Sequence, residues 1–112
     1  MSSLSEVDVT YTLTSGVTVT TSRTKTVVKN NTVYLQIHCT FSSLANNATL
    51  IALTLDSAFR PADLIQNVGI GVIDTSNQGV VQVAILANGE LRIINRTGSA
   101  ISSAFVNICY NI

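Results

Sequence analysis

Three side chains in this sequence have types and surroundings suited to ligand chemistry: Tyr34, His38 and Arg60. Tyr34 and His38 share one side of the segment Asn30 to Phe41, NNTVYLQIHCTF, with Gln36 and Thr40. An aromatic face beside planar polar groups is suited to stacking on a sugar ring, and an imidazole can hydrogen-bond a sugar hydroxyl. Tyr34 is the best surface candidate, because Tyr11 and Tyr110 alternate with apolar residues and read as core. His38, the only histidine, reads first as an ordinary exposed or interface side chain. Arg60 lies in the loop DSAFRPADL, where a guanidinium can hold the phosphate of a polyol phosphate. The competing reading of that loop is a corner, with Phe59 buried and Arg60 solvated.

Catalytic chemistry has less to work with. The carboxylates are Glu6, Asp8, Asp56, Asp63, Asp74 and Glu90, all near strand ends or turns, and none is visibly paired. Glycoside hydrolysis needs two of them facing one bond across roughly 5–10 Å. The lone histidine has no nucleophile-elbow context. Cys39 and Cys109 form no CxxC, and no histidine cluster accompanies them, so neither a zinc site nor another cofactor is expected. Both cysteines read as buried free thiols; a disulfide needs their strands to be neighbours. Glycines 69 and 71 in IQNVGIGVI precede no helix, which dismisses a nucleotide loop. They read as a bulge or as a close backbone approach.

The elements that carry these residues are strands. Val33, Leu35, Ile37, Cys39 and Phe41 alternate with Tyr34, Gln36, His38 and Thr40, a period of two with one face in a core. Val7 to Leu13 alternates in the same way, and Val17 to Val28, rich in Val and Thr, reads as one or two strands. Asn30-Asn31 and Asn88-Gly89 are hairpin signals. Thr49 to Leu55 is apolar on both faces, which suggests a central strand. Ile65 to Ile73, Val80 to Leu86, the LRIIN run and a last strand from Ile101 or Ala104 to Ile112 complete the set. The expectation is one all-β domain over residues 1–112, a two-sheet β-sandwich or jelly roll of about eight short antiparallel strands.

Composition adds a constraint. Only 11% of residues are charged, with zero net charge and 46% hydrophobic residues. A charge-poor surface suggests a subunit interface, since interface cores are depleted of charge. A monomer surfaced with Thr, Ser and Asn is the alternative. Arg23, Lys25 and Lys29 read as a solvated face; with no basic stripe and no interleaved aromatics, nucleic acid is not an expected partner. No apolar run reaches the ~18 residues of a membrane span, and the N-terminus lacks the pattern of a signal peptide.

The order of features, from Lys29-Asn30-Asn31-Thr32-Val33-Tyr34-Leu35 through TLIALTL, Phe59-Arg60-Pro61 and Ala87-Asn88-Gly89-Glu90-Leu91-Arg92-Ile93 to VNICYNI, resembles the C-terminal head domains of bacteriophage tail-fibre and baseplate receptor-binding proteins. The resemblance spans roughly residues 18–112, on short motifs. It implies a homotrimeric, non-enzymatic head at a virion tail, contacting other tail or baseplate proteins and binding host cell-wall polysaccharide or teichoic acid. A structural trimerisation module of a tail fibre is the second implication. The N-terminal stalk usual in such proteins has no counterpart in the sequence.

Overall fold

A computed structural model describes residues 6–112. Ten strands, all paired antiparallel, form one hydrogen-bonded sheet. They are β1 (Glu6–Asp8), β2 (Tyr11–Leu13), β3 (Thr18–Val19), β4 (Lys25–Lys29), β5 (Thr32–Leu44), β6 (Thr49–Leu55), β7 (Ile65–Val72), β8 (Gln78–Ile85), β9 (Glu90–Asn95) and β10 (Ile101–Asn111). The order across the sheet is β1-β4-β5-β10-β7-β8-β9-β6-β2, with β3 also on β5. The only helical pieces among the described residues are two 3-10 turns, at Thr21–Arg23 and Ser57–Phe59. No helix there is long and apolar enough to cross a membrane.

The all-β expectation holds, but the two-sheet sandwich does not. The ladder is continuous, and the sheet curls on itself as a half-barrel. Two features explain this. First, β5 has 13 residues and β10 has 11, paired from Thr32↔Asn111 to Leu44↔Ile101. At about 3.3 Å per residue, β5 spans ~43 Å, close to the 47 Å long axis of the molecule. Second, the N-terminal segment joins the two edges. It pairs with β4 through residues 6–8 and with β6 through residues 11–13. Between them the Val9 amide donates to the Thr26 carbonyl, and the Asp56 amide donates to the Thr10 carbonyl. The expected single strand Val7–Leu13 is therefore split.

The core lies on the concave side. Val33, Leu35, Ile37 and Cys39 of β5 meet Ala104, Val106, Ile108 and Tyr110 of β10. Val81, Val83 and Ile85 of β8 and Leu91 and Ile93 of β9 close over them. Strand β7 lies close against its neighbours. Its inward positions include Gly69 and Gly71, and Val81 and Val83 fill the space a side chain would take. β7 follows β8 over eight residue pairs but β10 over only three. The close-approach reading of these glycines holds.

Strand β6 is second from the sheet edge, not central. Its apolar run has another cause: the register with β9 shifts between Ile51 and Leu53, so Ala52 and Leu53 are both buried. The Asn30-Asn31 turn forms as expected, with both residues at positive φ, 53° and 63°. The two cysteines lie on neighbouring strands but cannot meet. Cys39 is opposite Ala104 and points inward, whereas Cys109 is opposite Tyr34 and is exposed. The expectation that both are buried fails for Cys109, because the outer positions of β10 alternate with the core ones. Cys109 is expected to react with an aromatic disulfide reagent at neutral pH in the folded protein. Cys39, with its thiol pushed up to about 11 by burial, is expected to react only after denaturant is added. Two thiols titrating in native buffer would contradict the register.

Candidate functional site

The outer positions of β4, β5 and β10 form three rows across the convex side. One runs Lys25–Gln36–Asn107, the next Val27–Tyr34–Cys109, the third Lys29–Thr32–Asn111. Tyr34 occupies the middle of this array. Of three tyrosines and three phenylalanines, it alone is exposed, at 46%. Tyr110 is buried and its hydroxyl donates to the Phe59 carbonyl; burial pushes it up to about 12. Tyr11 is half-buried, and burial raises it too. Around Tyr34 lies an open groove of about 330 Å³, lined also by Lys25, Lys29, Gln36, Asn107 and Glu6, with Val27 at its floor. Glu6 approaches the Lys25 ammonium to 3.7 Å. Lys29 has no acidic partner within ion-pair distance among the described residues.

Sequence reasoning singled out Tyr34 but treated the lysines as a solvated face. The signal that joins them was present. A two-residue turn at Asn30-Asn31 fixes the register of its hairpin. It places Lys29 opposite Thr32, Val27 opposite Tyr34 and Lys25 opposite Gln36. Only Asn107 and Glu6 needed the long-range pairing.

His38 is four residues along β5 from Tyr34, ~13 Å away at strand spacing, and is not part of this groove. It is only 8% exposed, against the expectation of an exposed or interface side chain. Its Nδ1 is hydrogen-bonded to Thr20 Oγ1 at 2.8 Å, and its ring stacks on Phe105, centroids 4.2 Å apart. Its amide donates to Thr24 Oγ1, and its carbonyl accepts from the Thr20 amide. The imidazole thus fastens the 3-10 turn at residues 21–23 onto the sheet. Burial, and secondarily the nearby Arg23 charge, hold it below the ordinary histidine range. The unfolded chain then binds a proton more readily than the folded one. Stability from this group is fully present above pH ~6.5 and declines as pH falls through the lower folded value. The urea midpoint is expected to drop between pH 7.5 and 5.0, and His38→Gln to flatten the drop. Asp74 and Glu90, held low by their hydrogen bonds with Asn77 and Arg92, titrate below that window.

Arg60 lies elsewhere, in the β6–β7 connection. Its Nε donates to the Leu55 carbonyl at 2.9 Å, under the turn at Gly89. A Cβ at Gly89 would meet that Nε at 2.7 Å. The three candidates are therefore separate, and two of them hold structure. The Asn-rich loops are likewise joined to one another. Asn46 and Asn47 accept from the Gly98 amide and Arg96 Nη1, and Arg96 Nε donates to Gln82. Among the described residues, no three of His, Cys, Asp and Glu gather as metal ligands.

No protein-family model and no curated protein matches the sequence. The structure does have a counterpart, the crystal structure of the head domain of phage bIL170, reported in connection with a common fold for the receptor-binding domains of lactococcal phages. The TM-score is 0.74, over 98% of this chain and 99% of that one. This chain has the phage head-domain fold. The resemblance seen in the sequence motifs is matched end to end by that head domain, at 14% sequence identity. That agreement rests on backbone geometry; the identity is too low to carry side chains across. Any site on this chain is therefore a property of its own residues.

Proposed function

We propose that this chain is a non-enzymatic receptor-binding head of a phage tail tip or baseplate, recognising a host cell-surface saccharide or teichoic acid. The end-to-end match to a phage head domain carries the reading. Tyr34 is its ligand contact, and His38 and Arg60 are supports. The carboxylates favour binding over catalysis, because they serve separate local duties: Asp56 accepts from Thr10, Asp74 from Asn77 and Glu90 from Arg92.

We also infer a homotrimer. The outer faces of β10, β7 and β8 present Phe105, Val68, Ile70 and Val80, of which the last three are well exposed. Gln36, Asn107, Gln78 and Gln82 lie among them and carry no charge. A face of this kind favours contact with other copies.

The test uses fluorescently labelled chain on intact lactococcal cells, and on the same cells after acid extraction of wall polymer. Binding that disappears with the polymer is expected, at a solution mass of three times 11.9 kDa. Binding that survives extraction would exclude a wall saccharide. A trimer that binds no strain in a broad panel would favour a structural trimerisation module instead.

A further inference from the structure

We propose that the split between β7 and β10 is a strand-addition site, where an extended, uncharged segment of another polypeptide pairs with the β10 edge at residues 107–111. The site is independent of saccharide binding; only the choice of partner rests on the homotrimer inferred above.

The split is a break in an otherwise continuous ladder. Pairing of β10 with β7 ends at Phe105↔Ile70. β10 runs on to Asn111 and β7 begins at Ile65, so residues 106–111 and 65–69 face one another without pairing. An open cleft of about 390 Å³ begins there, between Val68, Gly69, Phe105 and Asn107. By alternation Asn67 belongs with Gly69 and Gly71 on the inward side of β7, yet it is exposed.

The backbone of β10 shows which groups the split leaves free. The Asn107 carbonyl faces β7, because Asn67 Nδ2 donates to it at 3.4 Å. In an antiparallel strand alternate residues send both N–H and C=O to the same side. Cys109 and Asn111 therefore turn theirs into the split, while Val106, Ile108 and Tyr110 bond to β5. Asn67 Oδ1 also accepts from the Val68 amide at 2.8 Å. One carboxamide thus stands between the strands as a peptide group would, accepting from one and donating to the other. It serves only the first residue of the free edge.

Edges of this kind are ordinarily blunted by charged side chains, Pro, bulges or short length. The outermost strands follow that rule. β1 carries Glu6 and Asp8, its neighbour β4 carries Lys25 and Lys29, and β2 has only three residues. β7 and β10 carry no charged residue and no Pro. Main-chain pairing is the recognition such an edge supports, and its uncharged borders select a segment without charge where it pairs. A second copy does not fit. Pairing one edge with itself is two-fold, and a threefold assembly leaves the edge free. The occupant is therefore a segment of a different chain.

Hydrogen exchange of the free protein is the first test. The amides of Cys109 and Asn111 are expected to exchange far faster than those of Ile108 and Tyr110. The probe is a randomised ten-residue peptide library with Val or Ile at alternate positions, selected against the full chain. Enriched peptides are expected to slow exchange at Cys109 and Asn111. N-methylation of one alternate set of peptide amides is expected to weaken binding about tenfold or more, and methylation of the amides between them to matter less. Asn67→Ala, which removes the competing carboxamide, is expected to tighten binding about threefold. Cys109→Pro, which deletes an N–H that the β5 ladder does not use, is expected to abolish it. If that variant melts early, peptide methylation carries the same test on the unaltered protein. Slow exchange at Cys109 and Asn111 in the free protein at every concentration would mean that the edge is already filled, and would overturn the proposal. Protection that appears only as protein concentration rises would assign the edge to a second copy and overturn the partner. No enriched peptide, or peptides indifferent to N-methylation, would overturn strand addition.

Discussion

Gly69→Ala is expected to destabilise the folded chain by about 3 kcal/mol or more, enough to threaten folding at 37 °C. The reason is geometric. A Cβ at residue 69 would stand 2.5 Å from the Phe105 backbone carbonyl and 3.1 Å from Val81 Cγ2. Side-chain ends can shift, but the Phe105 carbonyl belongs to β10, which is paired on both sides. Relief would require separating β7 from β10. Gly71→Ala provides the contrast. There the nearest atoms are side-chain carbons: Val81 Cγ1 at 2.8 Å, then Ile101 Cδ1 and Thr97 Cγ2 at 3.0 Å. Its cost is expected to be smaller and to be partly recovered by Val81→Ala. Gly69→Ala is expected to gain nothing from that second change, because the carbonyl remains. Urea denaturation of the four variants decides the matter. Equal losses at the two glycines, or full rescue of Gly69→Ala by Val81→Ala, would show that β7 moves freely against β10.

These glycines mark where the sequence stops being legible. The alternation in β5 is local, and it gives a strand with Leu35 in and Tyr34 out. The Asn30-Asn31 and Asn88-Gly89 turns are local too, and both hairpins form. What the sequence does not display is which distant strands meet. β10 lies between β5 and β7, a pairing of the chain's end with its middle that no turn residue announces. That insertion converts an expected pair of sheets into one continuous curled sheet. The short N-terminal strands are hidden for a related reason. Val7 to Leu13 alternates as one strand would, yet it changes partner at Val9, and only tertiary structure sets that point.

The candidate site divides in the same way. Tyr34 was legible from alternation, and its lysine neighbours could have been read from a two-residue turn. The roles of His38 and Arg60 were not. His38 is covered by Phe105, from β10, and held by Thr20. Arg60 depends on a carbonyl of β6 and on the space left by Gly89. A side chain's availability is a property of its surroundings, and these two are surrounded by residues distant in sequence. The charge deficit, by contrast, is a whole-chain quantity that needs no topology. It fits the uncharged, apolar outer face of β7 and β8.

The second large effect is expected at Asn95, the only fully buried polar side chain among the described residues, at 0% exposure. Its Nδ2 donates to the Leu44 carbonyl at 2.8 Å and to the Ser99 carbonyl at 2.7 Å. Its Oδ1 accepts from the Thr97 amide and hydroxyl. Its backbone exchanges bonds with Asn47 and Ala48. The side-chain amide therefore joins the end of β5 to the β9–β10 connection, while the backbone of the same residue holds the β5–β6 turn. Asn95→Leu keeps the branching of the side chain and leaves two carbonyls without their donor. At about 1–3 kcal/mol for each unsatisfied buried group, a loss of ~3 kcal/mol or more is expected. Asn95→Asp separates hydrogen bonding from volume. An ionised carboxylate there cannot donate, and it is buried without a cation, so its folded pKa rises above the unfolded value. Stability is then greatest at low pH and declines as pH rises from the unfolded carboxylate range through the folded value. Below that range the protonated acid can donate to one of the two carbonyls. Asn95→Asp is expected to lose less than Asn95→Leu at pH 4, with one carbonyl still unpaired, and to fall far below wild type at pH 7, while Asn95→Leu keeps a nearly constant deficit. A pH-independent loss for Asn95→Asp would mean that water reaches this side chain and that the loops it joins are not sealed.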